Sequence, residues 1–275
     1  MKYITFYLKI IYDSVAAGAG FGMFITLSIL FLVNDINYTD EVKILAAIIS
    51  FILIISGLVL SIILRINNKN IFATKKTFWI SAKNISFSLT LISGLTFYYL
   101  WILNDDSVFL LPLILTSSFF SILAIYCNSK IYLFKSFYLF VTSTYILNSI
   151  IAGSLILFLV LYYYKIENYT LNNLLVIILP TMIFIKLLDW YLISSKKKNI
   201  GKNNIVYSKI LALRGSCLIL AYIVPLYSLI QSKSLVLNND VFFIYFLISN
   251  LLAISGIFLE RWLFFIESNK TIDTL

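Results

Sequence analysis

Residues 44–64 read ILAAIISFILIISGLVLSIIL and carry no charge from end to end; Arg65 follows. A helix needs about 20 predominantly apolar residues to cross the hydrocarbon core of a bilayer, so this stretch reads as a transmembrane helix. Seven further runs resemble it. The set is Val15–Val33, Ile44–Leu64, Ile85–Leu103, Val108–Tyr126, Val141–Tyr164, Leu174–Ile193, Ile210–Ile230 and Val241–Leu259. The first has room to begin earlier, near Phe6. One of the eight carries a Lys and an Asp; the others are nearly free of charge.

Composition points the same way. Hydrophobic residues make up 61% of the 275 and charged residues 12%, against about 25% charged in soluble domains. Backbone facing lipid must pair its own N–H and C=O groups, which favours helices. The short alternating segments of a barrel are absent. The longest gap, Arg65 to Asn84, is too short for a soluble domain, which needs at least about 50 residues. The expectation is an all-α, polytopic integral membrane protein: one transmembrane domain over residues 1–275, built as an eight-helix bundle. The first run continues too long for a signal peptide and is expected to remain in the mature protein.

The basic residues fall into alternate gaps. One face receives Lys2, Lys9, the group Arg65, Lys69, Lys75, Lys76 and Lys83, then Lys130, Lys135, Lys196–Lys198, Lys202, Lys209, Arg261 and Lys270. The other receives Lys43, Lys165 and Lys233, with the acids Asp35, Asp40, Glu41, Asp105, Asp106, Glu167 and Asp240. Lysine and arginine bias sets orientation, basic side inward. Both termini are therefore expected in the cytoplasm, with the protein in a bacterial cytoplasmic (inner) membrane. Anionic lipid and charge sorting account for the net charge of +9 without nucleic acid. Tyr98, Tyr99, Trp101 and Tyr162–Tyr164 cluster at helix ends and read as an interfacial aromatic belt.

Chemistry-bearing residues are few. There is no histidine, so a bis-His haem cannot be built from this chain. Cys127 and Cys217 lack metal-site spacing and read as unpaired small apolar residues. Lys186 and Asp189 are three apart, on one helical face and within pairing reach. They read either as a proton path or head-group wall, or as charges snorkelling to the interface. Glu260 and Arg261 read as a helix-end ion pair, and Asp13 and Ser14 as a cap or the face of an earlier-starting helix. Gly18 and Gly22 form a GxxxG, and Gly153 sits in a similar patch; small residues let helices approach closely in lipid.

Several segments resemble the DmsC family, the membrane-anchor subunits of dimethyl sulfoxide reductase-type molybdoenzyme complexes. The small-residue run Ala16–Gly20 is similar to that family's opening helix. Ala73 through Trp79-Ile80-Ser81 is similar to its basic loop, with Ala82-Lys83 where the family has Arg-Glu. Lys130-Ile131-Tyr132 with Ala152-Gly153, and Arg261-Trp262-Leu263-Phe264-Phe265, resemble its central and closing features. The family often has a His at the end of helix 2; the nearest match here is Arg65 or a neighbour. The resemblance implies an anchor that binds menaquinol or ubiquinol and itself holds no haem or metal. Its electrons would pass to an iron–sulfur subunit and on to a molybdopterin catalytic subunit. The head-group wall it implies is Arg65, Trp79, Ser81 and Lys83. Arg cannot act as a base, so Asp189, Glu260 or water would take the quinol proton, with Lys186 beside them. The alternatives from other classes are a small transporter and a structural anchor without a working quinone site.

The orientation is testable by reporter fusions. Fusions within Lys196–Lys202 are expected to report a cytoplasmic location, and fusions between Leu103 and Val108 the opposite side.

Overall fold

A computed structural model describes residues 2–33, 38–67, 77–103, 108–132, 140–197, 204–234 and 239–270, with side chains over 11–33, 38–63, 78–103, 108–131, 140–192, 211–231 and 241–264. Among the described residues, eight stretches of helix are long and apolar enough to cross a membrane. Span one is α1 (Lys2–Leu32), and α2 (Asp40–Asn67), α3 (Thr77–Leu103), α4 (Leu110–Tyr132), α5 (Val141–Tyr163) and α6 (Tyr169–Lys197) follow. Span seven is composite: α7 (Asn204–Leu218), a π-helical turn at Ile219–Ile223, and α8 (Val224–Ser234). Span eight is α9 (Asn239–Lys270).

The helices exceed the apolar runs at several ends because a helix continues through the interface after its apolar stretch stops. α1 starts at Lys2, well before Val15, so Asp13 and Ser14 lie inside a helix and cap nothing. At α6 the cap is Asn168, whose Oδ1 accepts the Leu171 N–H at 2.7 Å. The same side chain donates to the Tyr38 hydroxyl at 2.8 Å, tying two gaps together.

The seventh span is where the helix departs from α geometry. Pro225 has no N–H, and its ring collides with the carbonyl four residues back, that of Ala221. The helix widens just before it: the Val224 N–H reaches the carbonyl of Ile219, five residues away. A π turn of this kind is the usual way to absorb one extra residue without breaking a helix.

α1 occupies the centre of the bundle. Its spanning segment is 89% buried, whereas the other seven range from 28% to 67%. It packs on α2, α4, α5 and α9, and α3 and α4 pair alongside. Lipid tails are as apolar as leucine, so helices here gain little from burying apolar area and must associate through close contact. The small residues of α1 provide that contact on two sides. Gly18 and Gly22 face Ser149 of α5, and Gly153 of α5 faces Gly22 in return. Gly20 faces Ser50 and Ile54 of α2, and Gly57 of α2 sits on Ala17. A Cβ at Gly22 would overlap the Ser149 carbonyl. Thr26 and Ser154 hydrogen-bond across the same seam at 2.7 Å.

The aromatic belt is a correction in part. Tyr99 and Tyr163 are exposed, as a belt requires, but Tyr98 and Trp101 are buried. They pack with Phe24, Phe31, Phe51 and Phe97 at ring separations of 5.2–5.7 Å. At this end Lys43, 1% exposed, bonds Asp40 at 3.1 Å and the Trp101 carbonyl at 3.2 Å. A cation at the last carbonyls of α3 complements the negative end of that helix.

Replacing Gly22 by Leu forces α1 from α5. The expected cost is at least the ~1–3 kcal/mol of an overpacked core, read as a lower thermal midpoint in detergent. The same change at Gly215, where a Cβ would meet nothing within 4 Å, is expected to be mild.

Candidate functional site: a charged cavity at one end of the bundle

Four helices each turn one polar stripe towards a common point. Val141, Thr144, Tyr145 and Asn148 step along α5 by three or four residues, as do Lys186, Asp189 and Trp190 on α6, and Arg214, Cys217 and Leu218 on α7. α9 adds Glu260, Arg261 and Phe264. Residues at that spacing share a helix face. All of these positions lie near the start of an odd-numbered span or the finish of an even-numbered one, so they share one end of the bundle. Except for Asn148, they line one cavity, with Tyr222 from the π turn. The cavity volume is about 50 Å³, room for a few waters.

The charges compensate one another. Glu260 forms an ion pair with Lys186 across the helix boundary. Asp189 is 3% exposed and Arg214 8%, and Asp189 feels the charges of Lys186, Glu260 and Arg214. Arg261, 4% exposed, lays its guanidinium over the Tyr145 ring, Cζ 3.1 Å from the centroid. Among the cavity's lining residues stand three cations (Lys186, Arg214, Arg261) and two carboxylates (Asp189, Glu260), a surplus of one positive charge.

Glu260 also belongs to a hydrogen-bonded triangle. The Tyr222 hydroxyl meets both Glu260 Oε2 and, at 2.7 Å, Asn148 Oδ1. The Asn148 amide donates to Glu260 Oε2 at 3.4 Å. A phenol has one proton and cannot donate to both acceptors. With Glu260 ionised, Tyr222 donates to the carboxylate. Once Glu260 takes a proton it can donate to the Tyr222 oxygen, and Tyr222 turns its own proton to Asn148 Oδ1. The triangle thus bonds Tyr222 to Glu260 in both protonation states, which lowers the cost of changing between them in a dry site. The π turn is what places the Tyr222 ring here.

A second buried pair lies at the same end of the bundle. Lys83 Nζ bonds Asp13 Oδ2 at 2.8 Å and Ser61 Oγ at 3.2 Å, with side chains 3% and 0% exposed for the pair. It joins α1, α2 and α3. Of the residues that the sequence grouped as one head-group wall, Trp79, Ser81 and Lys83 lie close together on α3. Lys83 is committed to Asp13. Trp79 packs edge-on against Tyr126 at 5.8 Å. Ser81 is exposed, and the side chain of Arg65 lies outside the described residues. Lys186, Asp189 and Glu260 converge on the cavity. Lys186 has Glu260 as its ion-pair partner, the residue three positions on contributing at longer range. Glu260 points into the bundle, away from the interfacial pairing expected of it with Arg261.

Tyr145, Asn148, Arg214 and Tyr222 were not singled out from sequence as site residues. Their signal was there in a weak form: polar side chains inside otherwise apolar spans. Cys127 and Cys217 are both free and buried. Among the described residues no group of three or more His, Cys, Asp or Glu could hold a metal ion.

No protein-family model, curated protein or solved structure matches this chain.

Breaking the second pair is expected to be expensive. Lys83→Met leaves Asp13 buried without its cation, a loss of about 3–5 kcal/mol. Adding Asp13→Asn to it should recover most of that, as measured by thermal unfolding of both variants in detergent.

Proposed function

We propose that this chain is the membrane-anchor subunit of an anaerobic-respiration-type oxidoreductase complex, and that it oxidises a menaquinol or ubiquinol at the α5–α6–α7–α9 cavity. One observation carries the reading: a carboxylate inside a bilayer-spanning bundle whose hydrogen bond with Tyr222 can be kept in both of its protonation states. Ionisable groups in membrane spans are costly and mark proton or substrate paths. The resemblance to the DmsC family in the Arg261–Phe265 segment supports it, since that segment begins beside the cavity.

A quinol loses two protons and two electrons on becoming a quinone. In this reading a hydroxyl proton passes to Glu260, with Tyr222 and Asn148 rearranging as above, and Lys186 and the two arginines steady the remaining charge. The electrons go to an iron–sulfur partner subunit and on to a molybdopterin catalytic subunit. Asp189, beside Lys186, is the second acceptor. A base of this kind contributes about 10²–10⁴-fold to a proton-transfer step. The 50 Å³ of room admits the oxygen-bearing edge of a ring, with its apolar body against the apolar lining residues Trp190, Leu218 and Phe264.

One feature favours a second reading, a small-solute transporter: span seven is interrupted at the site, as transporter helices often are. Uptake into vesicles by the isolated chain distinguishes it.

Glu260→Gln is expected to lower quinol-dependent electron flux in membranes by about 100-fold, while the complex still co-purifies. Flux that persists in an intact complex assigns the chain a structural role only.

A further inference from the structure

Two buried polar atoms of cavity-lining residues, the Nε of Arg261 and the hydroxyl of Tyr145, meet no hydrogen-bond partner at ordinary bonding distance among the described residues. The two side chains are 4% and 2% exposed. The Arg261 guanidinium lies over the Tyr145 ring and bears on its hydroxyl as a charge, while Arg261 Nε is left without an acceptor. A buried donor without a partner is destabilising, and both atoms belong to residues that line the same cavity as Glu260.

We propose that Arg261 Nε and the Tyr145 hydroxyl form an oxygen anchor, which holds a carbonyl-type oxygen at the edge of an apolar ring. The inference rests on the quinol reading above and assigns that ligand its point of attachment. The division of labour follows from the side chains. Arg donates hydrogen bonds and cannot accept a proton, so it suits the oxygen that stays on the ligand. Glu260, the adjacent residue, is the group that can take the proton. Stacking on Tyr145 fixes the plane of the guanidinium, and that plane fixes the direction of the Nε–H. Lysine at position 261 would keep the charge and lose that direction. Arg261 and Tyr145 are positioning residues in this scheme.

The test is a menadione titration of the full-length protein in detergent, read by tryptophan fluorescence. A Trp190→Phe variant identifies the part of the quenching that arises at this cavity. Methylnaphthalene, which has the ring and no oxygen, is the comparison ligand. Arg261→Lys is expected to weaken menadione binding about 10-fold, the effect of losing one charge-assisted hydrogen bond. Tyr145→Phe, which keeps the ring under the guanidinium, is expected to weaken it about 3-fold. Methylnaphthalene should bind all three proteins alike. Menadione binding that ignores both substitutions overturns the anchor and leaves the quinol reading standing. Equal losses for menadione and methylnaphthalene also overturn it, because the cavity as a whole has then been damaged. Absence of any Trp190-dependent quenching in the unaltered protein overturns the anchor and the quinol reading together. Should Arg261→Lys fail to fold, Tyr145→Phe decides the matter alone.

Discussion

In a bilayer the association of helices depends on how closely their backbones can approach, because no water is released by hiding a leucine from lipid. The central position of α1 follows from that constraint. Its small residues are distributed around the helix, so α5 can close on Gly18 and Gly22 while α2 closes on Gly20 and Ala17. α2, α4, α5 and α9 then gather around one helix, with α6 touching it more lightly. The cavity depends on this arrangement indirectly: α5, which supplies Tyr145 and Asn148, is held in place by the α1 seam.

Close packing also explains why the charges come in groups. A lone ion at this depth would carry a large desolvation cost, and each described ion near the cavity has opposite charge within reach. Lys83 and Asp13 satisfy each other in the half of the bundle formed by α1, α2 and α3. In the other half the compensation is spread over five side chains, with one cation in excess. A closed pair is suited to holding helices together. An open set with a spare positive charge, two unsatisfied polar atoms and some empty volume is suited to receiving a ligand.

The spans were legible because bilayer thickness imposes a length on them, and the charge-free run from Ile44 to Leu64 meets it without help from any neighbour. The small residues of α1 were legible for a similar reason, since spacing alone puts Gly18 and Gly22 on one face. The site was less so. Lys186 and Asp189 stood out as ions in an apolar run, but the residue that completes Lys186 is on another helix, and a neighbour-based rule pointed to Asp189. Glu260 and Arg261 are adjacent in sequence and project in different directions from α9, one to Lys186 and the other to Tyr145. Trp101 had the composition of an interfacial residue and the surroundings of a core one. Pro225 signalled a disturbance in span seven; that the disturbance would carry Tyr222 to a carboxylate on α9 required three dimensions.

The π turn at Ile219–Ile223 has a genetic corollary. It is a helix with one residue more than its length requires, and an α-helix advances about 100° per residue. Excision of a single codon there would let the backbone relax to ordinary α geometry with the flanking turns still in phase, while the residues inside the turn, Tyr222 among them, change direction. The span would still cross the bilayer, but Tyr222 would no longer address Glu260. Ordinary point substitutions erode a site gradually. Here a three-nucleotide loss is enough to separate the scaffold from its chemistry in one step.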